Sequence, residues 1–138
     1  MIADEDTRQA VQALVEATYE AMSTPGSDVA ALFGAADMAV AGSGQGELFT
    51  GPAEALAAAQ AVSSAGMRWT AETVTVWRRG DVAWAQILGS VRPGADEVVP
   101  YWTTGVFGLE QDRWRWLYWG GSEPQASASA LLNGSTTN

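Results

Sequence analysis

The stretch Tyr101–Pro124, YWTTGVFGLEQDRWRWLYWGGSEP, constrains the fold of this chain more than any other. It holds four of the seven tryptophans and two of the three tyrosines. Two apolar, aromatic-rich runs (101–109 and 113–119) flank the polar Glu110-Gln111-Asp112. Aromatic and β-branched residues around a short polar turn predict a β-hairpin. On the second run Trp114, Trp116 and Tyr118 share one alternation, and Arg113, Arg115, Leu117 and Trp119 share the other. Neither alternation is polar, so one face has to line an interior and the other has to meet a partner or a further layer.

The rest of the composition narrows the chemistry. The 138 residues, 47% hydrophobic, suffice for one domain with its own core. No cysteine, histidine or lysine is present, and all seven basic residues are arginine. Ser-His-Asp triads, Cys-His dyads, Schiff bases, histidine metal sites and a Walker-type phosphate loop are therefore excluded. A net charge of −9 argues against nucleic acid, which requires a clustered basic surface. No apolar run is long enough to suggest a membrane span. The acidic N-terminus does not resemble a secretory signal, and the absence of cysteine makes a cytoplasmic location the default expectation.

In chain order, Val11, Leu14, Val15, Thr18, Tyr19 and Met22 recur at helical spacing and predict a first helix ending at Thr24-Pro25-Gly26. Ser27 is a fitting N-cap for a short second helix through Phe33. Met38–Ala41 reads as a short strand and Gly42–Gly46 as a mobile lip. Glu47–Thr50 leads into Gly51-Pro52, and Pro52 with Glu54 opens a third helix reaching about Ser64. The second half reads as strand: Met67–Arg78, Val82–Val91 and the two arms of the hairpin. Residues 126–138 read as a flexible tail after a domain at 1–125. This order predicts an α+β domain: three helices on the concave face of a strongly curved antiparallel sheet, with a cone-shaped pocket between the layers.

Four segments give this order a resemblance. They are Ala31-Leu32-Phe33 followed by Asp37-Met38-Ala39-Val40; Glu47-Leu48-Phe49-Thr50-Gly51-Pro52-Ala53-Glu54; Gly80-Asp81-Val82-Ala83-Trp84; and Thr104 with Asp112-Arg113-Trp114 and Ser122-Glu123-Pro124. Together they resemble the nuclear transport factor 2-like superfamily, in particular its SnoaL-like branch, over roughly Thr7–Gln125. The resemblance implies a pocketed fold that hosts polyketide cyclases and ketosteroid isomerases. It also shows departures. Gly120 stands where many members carry a histidine, and Ala41-Gly42 stands where the isomerase relatives place a carboxylate base. Tyr19 matches the position of their oxyanion-donating tyrosine.

From these residues the candidate catalytic groups are Tyr19, as a hydrogen-bond donor to a developing oxyanion, and Glu47 or Asp37, as a carboxylate base. Each has a plainer role open to it: a core tyrosine, a solvated loop glutamate, a turn-capping aspartate. The candidate substrate-binding groups are Trp102, Thr104, Trp116, Tyr118, Gln86 and Ser122, with core packing as the alternative for the aromatics. No metal ligand set and no cofactor are called for. Three readings stay open. They are a cofactor-independent cyclase, isomerase, dehydratase or hydratase acting on an apolar oxygenated substrate, a non-catalytic binder of an apolar small molecule, and an interaction scaffold. A homodimer through the sheet is compatible with each.

Overall fold

The computed structural model describes residues 1–29, 32 and 38–124. Helix α1 spans Glu5–Met22, and its N-cap Asp4 accepts from both the backbone N–H and the hydroxyl of Thr7 (3.3 and 2.6 Å). Its buried stripe is Thr7, Val11, Val15, Thr18, Tyr19 and Met22, the helical spacing expected of one core-facing side. Helix α2 spans Pro52–Ser64, starting from Gly51 at φ +92° with proline in the first turn. It buries Ala55, Ala59 and Ser63.

Strands β1 (Ala39–Ala41), β2 (Leu48–Thr50), β3 (Arg68–Arg79), β4 (Val82–Gly94), β5 (Glu97–Glu110) and β6 (Arg113–Ser122) form one sheet in the order β2-β1-β6-β5-β4-β3. The two tight hairpins follow from their loop residues. Gln111 and Asp112 both take positive φ between the paired Glu110 and Arg113, the type I′ requirement. Gly80 supplies positive φ at the first loop position between Arg79 and Val82.

Three expectations need correction. The sheet is mixed: β1 runs parallel to β6, joining the strand that closes the chain's second half. Leu48–Thr50, read as a lead-in to a helix, is a strand paired with β1. A three-residue strand is too short for its alternation to mark it in the sequence. The described residues hold two helices, not three; residues 30, 31 and 33 of the expected helix at 27–33, with Asp37 and the tail at 126–138, lie outside them.

Two bulges decide which side chains face the helices. On β3 Glu72 is the extra residue, because Ala71 pairs with Gly89 and Thr73 with Leu88. On β6 Leu117 is extra, because Trp116 pairs with Phe107 and Tyr118 with Val106. A bulge reverses the alternation beyond it and bends its strand. The inner face of β6 therefore carries Trp116 and then Trp119, both buried. The inner faces of β4 and β5 continue it with Ala83, Ala85, Ile87, Tyr101, Thr103 and Phe107. Gly105 is glycine for a packing reason: a Cβ there would lie 2.8 Å from the rings of both Phe107 and Trp116.

Helix and sheet are joined by polar pins as well as by apolar contact. Trp116 Nε1 donates to Thr18 Oγ1 (2.9 Å), whose hydroxyl donates to the Leu14 carbonyl (2.6 Å). Tyr19 donates to Thr103 Oγ1 (2.7 Å), and Thr103 is wholly buried. Such paired burial is the condition under which polar atoms are tolerated inside.

Burial raises the Tyr19 pKa to about 12, against the lowering influence of its Thr103 bond. The neutral phenol is thus favoured in the folded state. Its stabilising contribution is complete below pH 10 and is lost as pH climbs toward 12, where the unfolded chain ionises first. Two pKa units correspond to roughly 3 kcal/mol. Tyr19→Phe should cost about 1–3 kcal/mol at pH 7 by leaving Thr103 unpaired. It should also flatten the fall in stability between pH 10 and 12. Urea midpoints at pH 7, 10 and 11.5 for both proteins check this, and equally steep profiles would refute it.

Candidate functional site

Between the two helices and the bent sheet, beyond the end filled by Phe107 and Trp116, lies a cavity of about 400 Å³. Its walls are predominantly apolar. Met22 comes from the end of α1, Ala58 and Val62 from α2, Phe49 from β2, and Val91 and Val99 from the ends of β4 and β5. The small residues of α2 are what leave the space: alanines occupy positions where larger side chains would meet the sheet.

One wall is aromatic. Trp69, Tyr101 and Trp119 form a cluster in which Trp69 stands edge-on to both others (4.9 and 6.0 Å between centroids), while Tyr101 and Trp119 stack at 5.9 Å. Tyr19 extends the cluster behind this wall, edge-on to Trp69 at 6.0 Å. Trp69 and Trp119 are 8% and 5% exposed, and the indole N–H of each has no hydrogen-bond partner among the described residues. Two unpaired buried donors beside a cavity are unusual, because each costs on the order of 1–3 kcal/mol when left unmet.

The polar groups gather at the mouth. The loop from Gly42 to Glu47 folds around its own glutamate: Gly42 N–H donates to the Glu47 carbonyl (2.7 Å), and Gly44 N–H donates to Glu47 Oε1. A Cβ on Gly42 or Gly44 would collide with that carboxylate, at 2.8 and 2.3 Å respectively. The glycine-rich stretch is therefore a seat for Glu47. Ser43 Oγ donates to Glu123 Oε2 (3.1 Å), tying the loop to the residue that follows β6. Burial first, and then the charges of Glu47 and Glu123, raise the Tyr101 pKa above its ordinary value, while hydrogen bonds with Ser43 oppose the rise. Tyr101 reaches this position because residue 121 is glycine, where a Cβ would lie 2.0 Å from the tyrosine oxygen.

Of the residues singled out from sequence, Glu47 lines the cavity. Tyr19 lies behind the aromatic wall with its hydroxyl engaged by Thr103, and is not among the lining residues. Asp37 is outside the described residues. Trp116 belongs to the filled end of the core. The structure corrects the placement of the other five. Trp102 and Thr104 alternate with the inward Tyr101 and Thr103, and Gln86 alternates with the inward Ala85 and Ile87. All three face outward; Thr104 donates to Gln86 (3.0 Å), and Trp102 is 41% exposed. The bulge at Leu117 turns Tyr118 to the same outer face, and Ser122 pairs with outward Trp102.

Sequence reasoning missed Trp69, Tyr101, Trp119, Ser43 and Glu123 as site residues. The usable signal was the Gly120-Gly121 pair, which marks close approach of other side chains to the end of β6. Among the described residues no group of three acidic, histidine or cysteine side chains is placed to hold a metal ion. Among the described residues no helix is long and apolar enough to cross a membrane.

A family model described as a SnoaL-like domain matches residues 11–126. The fold is shared with an NTF2-like protein of unknown function from Pseudomonas putida (19% identity, 94% of each chain covered, TM-score 0.75). It is shared with a "putative dehydratase from the NTF2-like family" from Streptomyces avermitilis (18% identity, 88% of this chain and 99% of that one, TM-score 0.76). A "putative ketosteroid isomerase" from Parabacteroides distasonis is also similar (14% identity, 88% and 90% covered, TM-score 0.69). At these identities the likeness shows the fold alone. No curated protein matches the chain.

Gly121→Ala should force Tyr101 from the mouth, because no rotation of the new methyl relieves an overlap with the phenol. A destabilisation of about 1–3 kcal/mol is expected, together with a shift in the Tyr101 ring resonances. Unchanged ring resonances would show that the glycine is not what admits Tyr101.

Proposed function

The chain belongs to the SnoaL-like domain family of the NTF2-like superfamily, and from that premise we propose that it carries out cofactor-independent acid/base chemistry on a small, apolar, oxygenated molecule. The observation that carries this reading is that Glu47 and Tyr101, with Ser43 and Glu123, line a cavity whose other walls are predominantly apolar. A pocket of a few hundred Å³ with apolar walls and a few convergent polar groups is the usual form of a small-molecule site.

In the proposed step the substrate's carbon skeleton fills the apolar part, against α2 and Trp119. Glu47, held by the Gly44 N–H, takes a proton from a carbon next to a carbonyl. The electron pair moves onto the carbonyl oxygen, where a hydroxyl can donate to it. Return of the proton at another carbon gives isomerisation; departure of a hydroxyl as water gives dehydration. Tyr101 is the donor within reach of the mouth, whereas Tyr19 already donates to Thr103. A second reading, ligand binding without turnover, has its own support: Glu47 is exposed and already accepts from its own loop.

Proton abstraction is measurable without the natural substrate. In D2O, 2-tetralone should exchange its α-hydrogens faster with the protein than with buffer alone, saturably, as followed by proton NMR. Glu47→Gln should lower the rate by about 10²-fold or more. Exchange that saturates equally in both proteins would remove Glu47 as the base, and binding without exchange would leave the non-catalytic reading.

We also propose self-association through the outer sheet face. Trp77 and Trp84 pair across β3 and β4 on that face, and Trp102, opposite Leu88 further along β4, adds an exposed indole to the same face. Sedimentation equilibrium at micromolar concentration should give a dimer that Trp102→Glu weakens. A monomeric wild-type protein would dispose of the idea.

A further inference from the structure

We propose that the cavity selects molecules by charge, taking an apolar molecule that bears an ammonium group seated at the mouth by Glu47, Glu123 and the aromatic wall. This rests on the reading that the cavity holds a small molecule, and it specifies the class.

The first support is the charge inventory of the lining. The charged groups among the described lining residues are Glu47 and Glu123, both carboxylates, one on each side of the opening. Ser43 links the two sides by donating to Glu123, so they share one rim. Each carboxylate retains acceptor capacity, since the hydrogen bonds described here use one oxygen of each. Both charges are felt at the Tyr101 hydroxyl between them.

The second support is the wall next to that rim. Tyr101 and Trp119 lie nearly parallel, with an interplanar angle of 28°, and Trp69 stands edge-on to them. Aromatic faces attract cations through their quadrupoles, most strongly where water is excluded. Rim and wall therefore favour the same sign of charge, and a carboxylate or phosphate head would meet repulsion from both.

The nearest cations do not undo the argument. Arg68 and Arg92 pair across β3 and β4 beside Pro93, but they flank Trp69 and Val91, whose side chains point inward. Alternation turns both arginines to the opposite face.

A shape-matched trio tests the charge rule: 1-adamantanemethylamine, 1-adamantanemethanol and 1-adamantanecarboxylate, titrated calorimetrically into the full chain at low salt. The amine should bind about tenfold more tightly than the alcohol, and the carboxylate more weakly than either. Glu47→Gln/Glu123→Gln should abolish the amine's advantage over the alcohol when both are titrated into the same variant. Raising salt to 0.5 M, roughly, should weaken the amine alone in the wild-type protein, a check that needs no variant to fold. Equal affinity for amine and alcohol, or preference for the carboxylate, overturns charge selection but keeps the cavity as a binding site. No binding by any of the three removes both readings.

Discussion

The extra residue Leu117 in β6 is the constraint on which the rest of the structure depends. Without it, strict alternation would put Trp116 and Trp119 on opposite faces, and one of the two indoles would be lost to the interior. With it, both point toward the helices and divide the labour. Trp116 closes the core by donating to Thr18 on α1, and Trp119 becomes wall for the cavity. The same bulge turns Tyr118 outward, which explains why both faces of the hairpin are aromatic. One face is core and cavity; the other is the outer surface with Trp102 and Trp84.

Between the two ends of the sheet the helices differ in bulk. At the α1 end, valines and Tyr19 press onto Ile87, Phe107 and Trp116, and the space is filled. At the α2 end, alanines meet the strand ends and a cavity remains. Burial of apolar area drives the first arrangement at roughly 25 cal/mol per Å². The second forgoes that gain, and leaves two indole donors unpaired besides. Stability alone would favour filling this end.

How much of this was legible in the sequence follows from the length over which each pattern runs. The helical stripe from Val11 to Met22 and the long strands of the second half were readable because each repeats over ten or more residues. Proline at the start of α2 and the residues of the two tight turns marked boundaries directly. Strand β2 and the parallel pairing of β1 were not readable, since three residues establish neither alternation nor direction. The site was misread where face could not be read from the sequence. Trp102, Thr104 and Gln86 belong to the outer alternation of β5 and β4, and Tyr118 and Ser122 are turned to that same face by the bulge at Leu117. Glu47 was picked out because it sits between a glycine loop and a helix start, near where such pockets open, with a solvated loop glutamate as the alternative. The glycines on either side of Ser43 proved to be its seat.

The position of the polar groups also bears on how the site would work. Glu47, Glu123, Ser43 and Tyr101 sit at the boundary between solvent and a dry interior, not at the cavity's bottom. A carboxylate buried deeply in such apolar surroundings would be expensive to keep ionised. At the rim it stays solvated until a molecule fills the space behind it. Filling the cavity would then displace water from the mouth and strengthen each electrostatic interaction there at the moment of use. The ligand itself would complete the site: its apolar body supplies the burial, and its polar groups meet carboxylates already held by the Gly42–Glu47 loop.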